Sequence, residues 1–313
     1  MRDTQLIFVE GLTGSGKSTT AQWLCHLLEA NRVPVTWYHE LDMDHPVCNY
    51  GDAERASRSA AACEAFHAES RARWRAFAET VGRERRVHLF DGSLLQVPLY
   101  SLQTAMCGDD VVTRHVREVE QIVAPLEPVV VFLRYADTGA AFERICSVRP
   151  GFEEYVLGHV RTTPYGRAHG VSDRSDLVAL LDAQAALAHS LLGASRLATR
   201  EIEIDEARWD DYRSDIAAFL SLAGDGRQPA VDLTGLPGRY MDADSKLEMV
   251  IEADAAGLFI QGSGTRLLAR AADTFDIEGI SVELTFERHA GRAARILCAA
   301  RVTDFGRVWV RQE

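Results

Sequence analysis

The sequence predicts an α/β chain: a five-stranded parallel sheet with helices on both faces, followed by a small antiparallel β-domain, a curled sheet or barrel. Three observations carry this reading. Near the start, a short apolar strand runs into a glycine-rich loop and then into a helical repeat. Strand-like and helix-like segments alternate up to about residue 222, as a parallel sheet covered on both faces requires. After residue 223 the pattern changes to short alternating runs separated by turn signals. The domains expected are therefore 1–224, a linker at 225–236 next to the turn-rich run Ala-Gly-Asp-Gly-Arg-Gln-Pro, and a β-domain at 237–313.

Leu6-Ile7-Phe8-Val9 has no polar alternation, the mark of a strand buried on both faces. Residues 11–18 read Gly-Leu-Thr-Gly-Ser-Gly-Lys-Ser and fit G-x-x-x-x-G-K-[ST], the Walker A loop. Ala21, Leu24, Cys25, Leu27 and Leu28 then repeat at helical spacing, so the loop has the strand-before, helix-after context its chemistry needs. Backbone N–H groups from Gly11, Thr13, Gly14, Ser15, Gly16, Lys17, Ser18 and Thr19 would surround nucleotide phosphates at a helix N-terminus. Lys17 would reach the β- and γ-phosphates, and the Ser18 hydroxyl would ligate Mg²⁺.

Pro34 to Tyr38 predicts a second strand, ending at His39-Glu40-Leu41-Asp42. Residues 52–82, rich in Ala, Arg and Glu, predict one long helix or two abutting ones. Val87 to Phe90 is a third strand closed by Asp91-Gly92, and residues 110–124 are helical. Pro128 to Leu133, the most apolar run, is a central strand. Ala140 to Ser147 and residues 176–193 are helical, Glu201 to Asp205 is a fifth strand, and Trp209 to Leu222 a closing helix. Ligand is then expected at the carboxyl ends of the strands. Beyond the linker, strands are expected at Lys246–Ala253, Gly257–Gln261, Arg266–Ala271, Ile280–Glu287, Arg295–Val302 and Arg307–Arg311. Val250, Glu252, Leu258, Ile260, Val282 and Leu284 are their candidate half-buried positions.

Composition removes several function classes. A formal net charge of −12 lacks the basic footprint of a nucleic-acid binder, and Arg71, Arg73 and Arg75 fall on a solvated helical face. Six cysteines without a C-x-x-C pair argue against a metal or disulfide framework. No apolar run approaches membrane-spanning length and the N-terminus has no signal-peptide pattern, so a cytoplasmic protein without membrane partners is expected.

The chain also lacks the N-K-x-D tetrapeptide of guanine-specific switches, and its third strand ends in one acid rather than the pair that motor ATPases use. Together with F-V-E-G-L-T-G-S-G-K-S-T, the acids closing strand two, F-D-G at strand three, and E-R-I-x-x-x-R at 143–149, this resembles the small-molecule kinases of the P-loop class, the nucleoside- and thymidylate-kinase-like group. The resemblance spans about residues 5–222. It implies ATP and Mg²⁺ as cofactors and a small hydroxylated acceptor: metabolite, natural product, antibiotic or nucleoside. It further implies Glu40 as the base on the acceptor hydroxyl, with Asp42 or His39 as alternatives. Asp91 would hold Mg²⁺ through water or act as the base itself. Arg144 and Arg149 would form a lid over the transferring phosphoryl group. Gly92 and Ser93 stand where nucleoside kinases place an arginine, which argues against nucleosides. Trp37, Tyr38, Trp74, Gln96 and Tyr100 are candidates for lining the acceptor pocket, and Thr162–Gly170 for a mobile loop. The β-domain would cap the acceptor site, mediate dimerisation or add stability. The alternative reading is a regulatory NTPase whose β-domain binds a protein partner.

Overall fold

A computed structural model describes residues 4–204, 208–224, 226, 228–302 and 305–312. Met1 to Asp3, Asp205 at the end of the fifth expected strand, and Asp225 and Arg227 of the expected linker region lie outside them. The chain divides into two compact units, residues 1–40 with 45–225, and residues 41–44 with 226–313.

The first unit is built on five parallel strands, β1 (Leu6–Gly11), β2 (Val35–Tyr38), β3 (Val87–Asp91), β4 (Val129–Tyr135) and β5 (Ala198–Ile204), in the order β2-β3-β1-β4-β5. All six residues of β1 are buried, as its unbroken apolar run requires at the centre of a covered sheet. The chain winds outward from β1 to β2 and β3 on one side, then crosses to β4 and β5 on the other. The switch point, and with it the binding crevice, therefore falls at the carboxyl end of β1. Register places the acids there. Val9 pairs with Asp91, and Tyr38 with Phe90, so the residues after Tyr38 emerge beside Asp91.

Two cores flank the sheet. One face packs Ile7, Val9, Trp37, Leu89 and Val131 against α1 (Lys17–Ala30) and α10 (Trp209–Leu220). The other packs Phe8, Phe90, Val130 and Phe132 against α3 (Ala60–Val81), α4 (Gln96–Thr104) and α5 (Asp109–Val123). Trp74 of α3 is fully buried there, 5.7 Å from Phe8 edge-on and 5.1 Å from Phe90. Trp74→Ala should destabilise this unit by about 3–5 kcal/mol through cavity formation, read as a lower urea midpoint of the helical signal.

The long helical stretch at 52–82 is two helices, α2 (Tyr50–Ala56) and α3, separated at Ser57–Ser59, where the Ser59 hydroxyl caps α3. Thr162–Gly170, expected to be a loop, is instead the junction of α7 (Phe152–Thr162) and α8 (Pro164–His169). Thr163 caps α8, Pro164 occupies its first turn, and Gly166 sits against the Val160 backbone, where no side chain fits. Helices α6 (Thr138–Val148) and α9 (Arg174–Gly193) complete the unit.

The second unit is a closed antiparallel barrel of eight strands: β6 (Gly238–Asp242), β7 (Glu248–Asp254), β8 (Gly257–Ile260), β9 (Arg266–Ala271), β10 (Thr274–Ile277), β11 (Val282–His289), β12 (Arg292–Ala300) and β13 (Val308–Arg311). Closure pairs β13 with β6 and leaves no free sheet edge. Val282, Leu284 and Phe286 alternate inward along β11 between Glu283, Thr285 and Glu287. Tyr240, Ile251, Phe275, Ile296 and Trp309 help fill the interior, as expected of a small barrel. On β7 Met249 and Ile251 are buried and Val250 and Glu252 half-buried, the alternation of a half-buried strand. The segment 41–44 packs in this unit: Met43 N–H donates to the Arg301 carbonyl at 2.9 Å, and the fully buried Asp42 accepts from Ser281 and pairs with Arg301 at 3.2 Å.

Candidate active site

The glycines of the loop are demanded by the backbone. Gly14 and Gly16 hold φ of 81° and 78°, in the left-handed region. A Cβ on Gly14 would collide with Ile145 of α6, and one on Gly16 would lie 2.7 Å from the Trp209 ring of α10. Lys17 opens α1 and curls back over the loop, donating to the Leu12 carbonyl at 3.0 Å, and is only 5% exposed. Burial lowers its pKa, while Glu40, Asp91 and Glu10 together oppose that shift, so the ammonium faces three carboxyl groups.

Two of those carboxyls form the centre of the site. Asp91 Oδ1 accepts the Glu40 backbone N–H at 2.8 Å, which ties the end of β2 to the end of β3. Glu40 Oε2 and Asp91 Oδ2 are buried without a hydrogen-bond partner, as are Ser15 Oγ and Gln96 Oε1. Buried polar atoms are normally paired. The two carboxylate orphans, on Glu40 and Asp91, both act on the buried Lys17, and their unused acceptor capacity is what a ligand here would satisfy. Burial raises the Glu40 pKa first, the Asp91 charge raises it further, and Lys17 pulls it back. A carboxylate so placed is a stronger base than one in water.

The orphaned Asp91 oxygen, the Ser15 hydroxyl, the positive-φ glycines and Lys17 fit a magnesium–nucleotide ligand. Ser18, half-buried in the first turn of α1, and Asp91 are the residues that would hold the metal. Of the two expected lid arginines, Arg149 at the end of α6 is exposed over the Phe152 ring at 6.0 Å and is the weakest of the charges acting on Lys17 and Glu40, and Arg144 lies over the Tyr135 ring at 5.8 Å. His39 is buried edge-on to Trp37 at 5.6 Å. Asp42 does not join this group, since it belongs to the barrel unit with Ser281 and Arg301. Three of the expected pocket aromatics are core instead: Trp37 and Trp74 lie in the two sheet cores, and Tyr38 stacks on Phe90 at 4.6 Å. Gln96 and Tyr100 lie one turn apart on α4, and Tyr100 stacks on Tyr50, whose N–H donates to the Glu40 carbonyl at 3.0 Å.

Glu10, on β1 just before the loop, was not among the expected site residues. It is fully buried, and its two oxygens accept the backbone N–H groups of Leu94 (2.6 Å) and Gln96 (3.2 Å), satisfying the start of α4. The signal was an acid in an otherwise apolar strand. Burial, partly offset by those N–H groups and Lys17, pushes its pKa up from 4.5 to about 7. The folded state therefore holds this proton more tightly than the unfolded chain. Its contribution to stability is complete below pH 4.5 and is lost as the pH rises through about 7. Relative to Glu10→Gln, wild-type stability should fall by on the order of 3 kcal/mol across that window, measured by urea unfolding of both proteins between the two ends.

No family model matches the chain, and no curated protein does. Among solved structures, a thymidylate kinase from Candida albicans is similar at 15% identity and a TM-score of 0.40, over 70% of this chain and 91% of that one. A sugar kinase from Janibacter sp. HTCC2649 is similar at 13% identity and a TM-score of 0.35, over 70% of this chain and 96% of that one. By its own strand order, the first unit is an α/β fold of five parallel strands, β2-β3-β1-β4-β5, with the glycine loop between β1 and α1 and helices on both faces. No described helix is long and apolar enough to cross a membrane.

Proposed function

We propose that the chain is a phosphotransferase that moves the γ-phosphate of ATP to a hydroxyl group of a small molecule. The observation that carries this reading is the pair Glu40 and Asp91, each with a buried, unpaired oxygen and each acting on the buried Lys17. Magnesium-bound ATP supplies the phosphoryl group and the charge neutralisation it needs. The protein's part is to place groups around it. Glu40 takes the proton of the acceptor hydroxyl as the new oxygen–phosphorus bond forms and the bond to the ADP oxygen breaks. Lys17 and Arg149 lie where negative charge accumulates on the transferring group, which is the larger part of catalysis for this chemistry. Asp91 keeps Glu40 in place through the 2.8 Å bond to its N–H.

The cytoplasmic setting, ATP rather than GTP, and a β-domain that caps, dimerises or stabilises remain parts of this proposal. The test is a γ-phosphate transfer screen over sugars, amino alcohols, nucleosides and antibiotics, with Lys17→Ala as control. Transfer that depends on Lys17 supports the reading. ATP hydrolysis with no acceptor in the whole screen sinks it and favours the regulatory NTPase.

A further inference from the structure

Gly92 follows Asp91 with φ of 67° and has no side chain. A Cβ there would lie 2.7 Å from Gln96 Oε1 and 3.1 Å from Glu40 Oε2, so those two oxygens are within about 6 Å of each other around the space the glycine leaves. Neither has a donor, although Gln96 is 6% exposed and both atoms are buried. In this orientation they do not satisfy one another, because Gln96 turns its amide carbonyl rather than its NH2 toward the space shared with the carboxylate, and both oxygens accept.

The Gln96 side chain is also not needed to start its helix. Its backbone N–H is already taken by Glu10 at 3.2 Å, and the Leu94 N–H by the same carboxylate. The amide is thus delivered to the Glu40 oxygen on a clamped backbone with its carbonyl unused. An acceptor bringing one hydroxyl would satisfy Glu40 and leave Gln96 Oε1 buried without a partner, an arrangement that carries a full desolvation penalty.

We propose that the acceptor is a vicinal diol or an amino alcohol, and that Gln96 recognises the second donor, on the carbon next to the reacting hydroxyl. This rests on the reading that the site transfers phosphate. Glu40 receives the hydroxyl that is phosphorylated, and Gln96 fixes which of two neighbouring groups that is.

The experiment uses the full chain, labelled ATP and matched acceptor pairs: polyols, hexoses and amino sugars against analogues lacking one adjacent hydroxyl or amine. The intact member should be preferred about ten- to a hundredfold in kcat/KM. In Gln96→Leu, checked for folding by its melting temperature, the preference should shrink to about threefold or less because the amide carbonyl is gone. Equal turnover of both members by wild type overturns the proposal without a variant being needed, and so does an undiminished preference in Gln96→Leu. Absence of Lys17-dependent transfer to every compound is a separate result, which overturns the kinase reading and this assignment with it.

Discussion

Lys17→Ala is expected to reduce γ-phosphate transfer by about a thousandfold or more, measured as initial rate with saturating ATP and the best acceptor. The size follows from where the ammonium sits. Lys17 is almost wholly buried, bonded back to the Leu12 carbonyl, and opposed by Glu40, Asp91 and Glu10. Charge developing on a phosphoryl group at this loop would meet it in a low dielectric, where a fixed cation is worth far more than in water. Removing it also leaves three buried carboxyl groups without their shared cation, so the Glu40 and Glu10 pKa values should rise further. The variant's melting temperature must therefore accompany the rate, so that lost catalysis is separated from lost fold. Retention of a tenth or more of the wild-type rate in a folded Lys17→Ala protein contradicts the loop's role as donor site.

Glu40→Gln should lower turnover by about a hundredfold or more while nucleotide affinity stays within a few-fold. Glutamine keeps the shape, and its backbone N–H still bonds Asp91, but it cannot take a proton. The two effects should separate, because the proposed nucleotide cradle is the loop and the first turn of α1, whereas Glu40 stands at the end of β2. Because burial and Asp91 both raise the Glu40 pKa, the wild-type rate should fall on acidification at a higher pH than an exposed glutamate would give, and that acid limb should disappear in Glu40→Gln. Full turnover in Glu40→Gln moves the base to Asp91, and Asp91→Asn then becomes the decisive variant.

Residues 96–102 of α4 are all buried, so the helix has no polar face and no 3.6-residue stripe by which to recognise it. Pro98 lies in its first turn, where a missing N–H costs nothing, yet in a sequence it reads as a breaker. That helix carries Gln96 and Tyr100, so the element bearing two of the expected pocket residues was invisible even though the residues themselves were suspected. Trp37 and Tyr38 fail for a related reason. Neighbours on a strand point to opposite faces, and both faces of this sheet are covered, so each of the two packs against a core.

What the sequence by itself determined is local: the strand–loop–helix of residues 6–30, the order of alternating elements, the acids at two strand ends, and the change to antiparallel strands after residue 223. Each of these is written in consecutive residues, through glycine conformation, apolar runs or periodicity. What only the tertiary structure decided depends on residues distant in sequence. Register brings Glu40 to Asp91, Glu10 reaches across to clamp α4, and eight short strands close into a barrel that also takes in residues 41–44. Asp42 and Glu40 stand two residues apart, and no local pattern distinguishes them. Their surroundings do: Asp42 pairs with Arg301 and accepts from Ser281, while Glu40 keeps a buried oxygen without a hydrogen-bond partner.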